Sequence, residues 1–157
     1  LVLSAPQFMI PIYQKANGYP NLLTIDREIA ITGIQERDIA RDAWKAVRPY
    51  FEKKISDCLV RYDNFASSGK ISDDPRKISA AAAEGRVETL FCARDARLWG
   101  KIDPLNGVAT ISEKKTAGDE DLAARAALET FLQKGLVYIL SHKEAAQRAP
   151  ITAIFRY

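Results

Sequence analysis

The stretch SAAAAEGRVETLFCA, residues 79–93, decides the fold. A small-residue helix runs to Glu84. Gly85 stops it, because glycine takes the left-handed conformation in which helices end at no steric cost. Val87–Ala93 then reads as an apolar strand with one charge in it. Upstream, Asp74 is placed to cap that helix and Pro75 to occupy its first turn. Downstream, ARLWGKID (96–103) reads as a strand or turn anchored by Trp99, and GVATIS (107–112) as another strand. After the polar loop EKKTAG, Asp119 opens a helix through Lys134. Its apolar positions are Leu122, Ala126, Ala127, Phe131 and Leu132, and Gly135 ends it. LVYIL (136–140) shows no polar alternation and is expected to be a strand buried on both faces. ITAIFRY (151–157) closes the chain as a strand, with Ile151, Ala153 and Phe155 on one face and Ile154 on the other. Helices alternating with short apolar strands give an α/β fold around a central sheet.

The region before residue 70 is organised differently. Ala40, Trp44, Val47, Phe51, Ile55, Cys58, Tyr62 and Phe65 recur at spacings of three and four, one face of a helix about 30 residues long. That face is expected to be buried. Pro49 lies inside the helix and removes one backbone donor. Residues 1–33 hold a strand end at 1–3 and a short helix at 7–16 striped by Phe8, Met9, Ile12 and Tyr13. They do not close a core by themselves and read as the tail of an upstream domain, with a second domain from residue 34 to 157.

The composition is that of an ordinary globular domain: 157 residues, 47% hydrophobic, 27% charged, formal net charge +3. This excess of positive charge is too small to argue for nucleic acid without a concentrated basic face. There is no run of about 18 apolar residues for a membrane span. The two cysteines, Cys58 and Cys92, are far apart in apolar surroundings; they are expected to be reduced, buried and structural, as in a cytoplasmic protein.

Chemistry is sparse. The one histidine, His142, sits in the polar stretch SHKEAAQR. There is no G-x-S-x-G elbow, no phosphate loop and no G-x-G-x-x-G turn. Two cysteines and one histidine do not make a zinc site. Asp73, Asp74, Asp119, Glu120 and Asp121 stand at helix starts, where the helix dipole accounts for them. No catalytic residue, metal or cofactor is expected. The basic residues Arg86, Arg94, Arg97 and Lys101 lie on or beside the first strand pair and form the candidate surface for RNA or a partner.

The segments AAAEGRVETLFCARDARLWGKID, DLAARAALETFLQKGLVYIL and APITAIFRY resemble the C-terminal domain of the archaeo-eukaryotic peptide-chain release factor superfamily, which includes the class I release factor and Pelota. The matching positions are Gly85, Val87 and Leu90 of a G-x-V-x-x-L strand, and Ala153, Ile154, Arg156 and Tyr157 of the closing strand. The chain is similar above all to the bacterial branch, through Trp44, Val47 and Pro49 and through Tyr19, Pro20, Leu22 and Leu23. The resemblance implies an α/β/α sandwich with a central mixed sheet, like the kink-turn-binding ribosomal proteins, preceded by the end of a ribonuclease-H-like domain. Gly85, Val87, Leu90, Trp99, Gly135, Arg156 and Tyr157 then serve the fold. It implies a binding module acting on or near the ribosome in termination or rescue, with the ribosome, ribosomal RNA or a translation-associated protein as partner. The alternative is an accessory domain of a hydrolase, a nuclease or esterase, whose catalytic residues lie upstream. The Gly-Gly-Gln loop of the release factors and the G-x-N-E-x-x-K motif of the kink-turn binders are absent from these 157 residues. The usual G-G-x-V-Y turn is altered to Lys134-Gly135-Leu136-Val137-Tyr138.

Overall fold

The computed structural model describes residues 1–26, 35–103 and 107–157. The chain divides into two units, Leu1–Cys58 and Leu59–Tyr157. The boundary expected at residues 33 and 34 falls outside the described residues.

In the first unit, β1 (Val2–Ala5) and β2 (Leu23–Asp26) pair in parallel, with Val2 opposite Leu23 and Ala5 opposite Asp26. Parallel strands need a crossover, and α1 (Ile10–Ala16) supplies it. This helix is shorter than the stripe from Gln7 predicts, and Phe8 and Ile12 are exposed. The helix α2 (Glu36–Asn64) has 29 residues and continues through Pro49. Its apolar stripe is not a buried face. Among its residues none is buried, and Trp44 and Phe51 are 59% and 49% exposed. Among the described residues, two four-residue strands and two turns of helix are all that the first unit sets beside it. What they provide is a groove of about 410 Å³, in which Tyr19, Pro20, Leu22 and Leu23 face Val47 and Phe51.

The second unit is built on a mixed four-stranded sheet in the order β3 (Ile71–Ser72), β9 (Ile151–Phe155), β4 (Val87–Ala93), β8 (Leu136–Leu140). β9 runs antiparallel to both neighbours, and β4 and β8 are parallel. Between β4 and β8 the chain makes a three-stranded antiparallel sheet and a helix. The sheet has the order β6 (Ala109–Ile111), β5 (Trp99–Ile102), β7 (Glu120–Asp121), and the helix is α4 (Leu122–Leu132). Trp99 is half-buried on β5, with the Lys115 ammonium 4.4 Å from its ring centre.

The core lies between the main sheet and two helices, α3 (Pro75–Ala83) and α4. Ile78, Ala81 and Ala82 of α3 and Ala123 and Ala126 of α4 pack on Val87, Leu90, Cys92, Ile151 and Ala153. The alanines let the helices approach the sheet closely. Val87 and Leu90 share this face although they are three residues apart. Strand alternation forbids that, and a register shift between Val87 and Thr89 permits it. Phe91 points to the other face. There the Tyr62 ring, from the last turn of α2, meets it edge-on at 6.0 Å, and Tyr138 stacks on it at 5.9 Å. Helices thus cover both faces, the expected α/β/α arrangement.

The ends of the helices explain several motif residues. Asp74 accepts from the Arg76 amide at 2.9 Å and caps α3. Gly85 has φ +71. Arg156 donates to the carbonyl of Gln133 at 2.7 Å, a cation on the carboxyl end of α4. Tyr157 is exposed. Three expectations are corrected. α4 is capped by Asp121, which accepts from Ala123 and Ala124, rather than opened by Asp119. The left-handed residue after α4 is Lys134, φ 61, and not Gly135. Gly135 is needed for space instead, since a Cβ there would stand 2.6 Å from Thr130 Cγ2 and 2.9 Å from the Val87 carbonyl. β8 is an edge strand with Leu136 and Ile139 exposed, so its continuous apolar run does not mean burial on both faces.

Candidate functional site

In open α/β sheets, ligands gather beyond the carboxyl ends of parallel strands. The parallel pair here is β4 and β8, and both end on the turn that holds Arg94 and Arg97. The Arg94 amide donates to the Leu140 carbonyl at 3.1 Å, which ties that turn to the end of β8. A cleft of about 160 Å³ opens beside it, walled by Cys92, Ala96, Ala123, Ala124, Ala127 and Ile139, with Arg94 and Arg97 among its lining residues. Both arginines are exposed. Arg97 Nε lies 3.8 Å from Asp121 Oδ2, and its guanidinium donates to the Ala96 carbonyl at 2.7 Å. Among the described residues Arg94 has no ion pair. His142 begins the short helix α5 (His142–Ala145), rather than lying in a loop, and its Nε2 is 3.1 Å from Asp95 Oδ2.

The four basic residues singled out by sequence do not form one face. Arg94 and Arg97 come together. Arg86 precedes β4 while Arg94 follows it, so about 25 Å of strand separates them. Arg86 pairs with Glu84, and its carbonyl accepts from the Arg156 amide at 2.9 Å. Lys101 sits on the second sheet, 3.9 Å from Asp119. The Asp119 carboxylate is held by the Thr116 amide at 2.8 Å and the Thr116 hydroxyl at 2.9 Å, and these bonds, the amide foremost, lower its pKa.

The cleft has no nucleophile at neutral pH. Burial, and then the Asp121 carboxylate, push the Cys92 thiol up to about 11, and an un-ionised thiol does not attack. Both cysteines are free, Cys92 buried and Cys58 half-buried.

A second cleft, of about 480 Å³, was not legible in the sequence. Leu59 and Asp63 from the end of α2 face Lys143, Gln147 and Arg148 across it. Arg148 pairs with Asp63 at 2.9 Å and lies 5.3 Å from the Tyr62 ring centre. Burial, with the Asp73 carboxylate second, raises the Tyr62 phenol above its ordinary value. Asp63 and Arg148 are 85 residues apart, so no local pattern announces their meeting.

A model of the bacterial archaeo-eukaryotic release factor family 3 matches residues 1–86. The chain belongs to this family. Solved structures extend the likeness over the rest of this family 3 chain. The C-terminal domain of the peptide chain release factor from Methanosarcina mazei is 12% identical with a TM-score of 0.59, over 80% of this chain and 97% of that one. The archaeal Pelota in a model of ribosome-bound Pelota and ABCE1 is 14% identical with a TM-score of 0.62, over 99% of this chain and 43% of that one. Dom34 of S. cerevisiae, described as a translation termination-like factor involved in RNA quality control and interacting with Hbs1, is 16% identical with a TM-score of 0.52, over 99% and 46%. At such identities the likeness is one of fold. The chain spans less than half the length of the Pelota and Dom34 chains it matches. No curated protein matches it. Among the described residues no helix is long and apolar enough to cross a membrane.

Proposed function

We propose that this chain is a non-catalytic binding module of a release-factor-like protein that acts on or near the ribosome in translation termination or rescue. Membership of release factor family 3 carries the reading. Its support in the site is the pair Arg94 and Arg97, exposed at the carboxyl end of the parallel strands, beside a cleft whose thiol is un-ionised at neutral pH. Residues 1–33 close an upstream domain of ribonuclease-H-like fold, residues 34–157 form the module, and the protein works in the cytoplasm. The partner is the ribosome, its RNA or a protein bound to it. Arg94 and Arg97 carry the phosphate contacts. Arg86 and Lys101 contribute less, being paired with Glu84 and Asp119.

The test is co-sedimentation with ribosomes at a series of salt concentrations. Bound fraction should fall steeply with salt, and the slope of log K against log salt should flatten by about one for each arginine reversed in Arg94→Glu and Arg97→Glu. Failure of the full-length protein to co-sediment at low salt would overturn the reading. Binding that ignores salt and both reversals would overturn the role of the arginines.

A further inference from the structure

At the end of the main sheet opposite Arg94 and Arg97, β3, β4 and β8 begin and β9 finishes. Across it, in strand order, stand Lys70 before β3, Arg156 after β9, Arg86 before β4 and Lys134 ahead of β8. Hydrogen bonds to the backbone tie the four positions together. The Phe155 amide donates to the Lys70 carbonyl at 2.8 Å, and the Arg156 amide to the Arg86 carbonyl at 2.9 Å. The Arg156 guanidinium donates to the carbonyl of Gln133, the neighbour of Lys134, at 2.7 Å. Strands lie about 4.8 Å apart, so the row is about 14 Å long. Lys70, Lys134 and Arg156 are exposed, and among the described residues none of them has an ion pair. The carboxylates beside the row are already engaged, Glu84 with Arg86 and Glu88 with Arg61. Glu129 stands a turn of α4 away. Two further features mark this end. Lys134 is the one non-glycine residue with positive φ among the described residues. That conformation is costly for a side chain and free for glycine, so a lysine kept there is explained by its charge rather than by the turn. Tyr157 follows Arg156 and is 76% exposed.

We propose that this end of the sheet binds single-stranded RNA, with Lys70, Lys134 and Arg156 on its phosphates and Tyr157 against a base. A row of this length is too long for one phosphate group and suits a chain of them, which recur about every 3.4 Å along a stacked strand. Carboxylates on one face of an extended acidic peptide come no closer than about 6.6 Å, wider than the spacing of these cations. Such a peptide also makes no use of an exposed ring, whereas unpaired bases stack on one. The proposal does not rest on the ribosome reading, which draws on the opposite end of the sheet.

The test is fluorescence anisotropy of a labelled oligouridylate of about 12 nucleotides, within the usual site size for single strands. The protein is the 157-residue chain carrying Arg94→Ala and Arg97→Ala, which silences the opposite end. Binding should appear by about 100 μM protein at about 50 mM salt. Lys70→Gln and Lys134→Gly should each weaken it about five- to tenfold and flatten the slope of log K against log salt by about 0.7. Lys134→Gly relieves the left-handed backbone, so melting should not fall and lost binding is not lost folding. Tyr157→Ala should weaken binding at least about fivefold, and indifference there would overturn the stacked base. No binding, or binding indifferent to Lys70→Gln and Lys134→Gly, would overturn the proposal. An oligoglutamate of the same length that binds as tightly as the RNA would overturn the assignment to RNA and point to an acidic peptide. None of these results bears on co-sedimentation with ribosomes, which reads Arg94 and Arg97.

Discussion

Replacing Gly135 with alanine puts the packing of the main sheet to a direct test. Gly135 follows the left-handed Lys134, and its amide donates to the Thr130 carbonyl at 2.8 Å. An added methyl would lie 2.6 Å from Thr130 Cγ2, 2.9 Å from the Val87 carbonyl oxygen and 3.0 Å from the Thr130 carbonyl oxygen. Thr130 is fully buried and cannot swing aside, and Val87 is held in register opposite Phe155. The strain must therefore move backbone, at about 1–3 kcal/mol. For a unit of this size each kcal/mol is about 4–8 °C in Tm, so Gly135→Ala should melt about 5–20 °C below the wild type by circular dichroism. Gly85→Ala is the comparison. There the obstacle is the flexible Gln133 amide at 3.3 Å, and the left-handed backbone alone should cost about 1 kcal/mol. Lys134→Gly should be neutral or stabilising by up to about 1 kcal/mol, since relief of the left-handed lysine exceeds the freedom gained by the unfolded chain. A Gly135→Ala protein that melts with the wild type, or above Gly85→Ala, would refute the close-approach reasoning.

Phe51→Ala should cost less than about 1 kcal/mol in urea unfolding, because the ring is half-exposed, while Leu90→Ala, fully buried against α3 and α4, should cost about 2–5 kcal/mol; equal costs would mean that the α2 stripe is packed. Asp119 predicts a sign for acid. Its folded pKa is lowered, chiefly by the Thr116 amide, so its stabilisation is complete above the ordinary carboxylate range near pH 4 and is lost as pH falls through and below it. Asp119→Asn should flatten that part of a melting-temperature profile against pH and leave the profile above pH 6 parallel to the wild type.

The parts of this fold that local chemistry dictates were legible in the sequence. Asp74, Pro75 and Gly85 bound α3, and the strands at 87–93 and 151–155 stand where apolar runs predict them. What failed depended on neighbours. Periodicity marks the α2 stripe as apolar, but whether Trp44 is covered depends on what else the unit contains. LVYIL reads as buried because its composition suits a central strand, and only the order β3-β9-β4-β8 makes it an edge. Three acidic residues in a row, 119–121, offer three caps, and the backbone chose Asp121. In the candidate site, chain proximity brought Arg94 and Arg97 together correctly but counted Arg86 with them, because eight residues are close in sequence and far apart when extended. The Asp63–Arg148 pair lay beyond any local signal.

The position of β9 has a consequence for the order in which the molecule assembles. The central strand of the sheet, between β3 and β4, is the last one in the sequence. β4, α4 and β8 form a continuous unit that can pair before β9 docks, but β3 has no sheet neighbour until then. Ile71 pairs with Ile154, and closing so long a loop late is the slow kind of step that non-local strand pairing imposes. A refolding chain that pairs β4 with β8 first therefore leaves the other edge of β4 uncovered until β9 docks between it and β3. Aggregation that competes with refolding should be fastest in that interval, and substitutions that weaken β9, such as Ile154→Ala, should lengthen it.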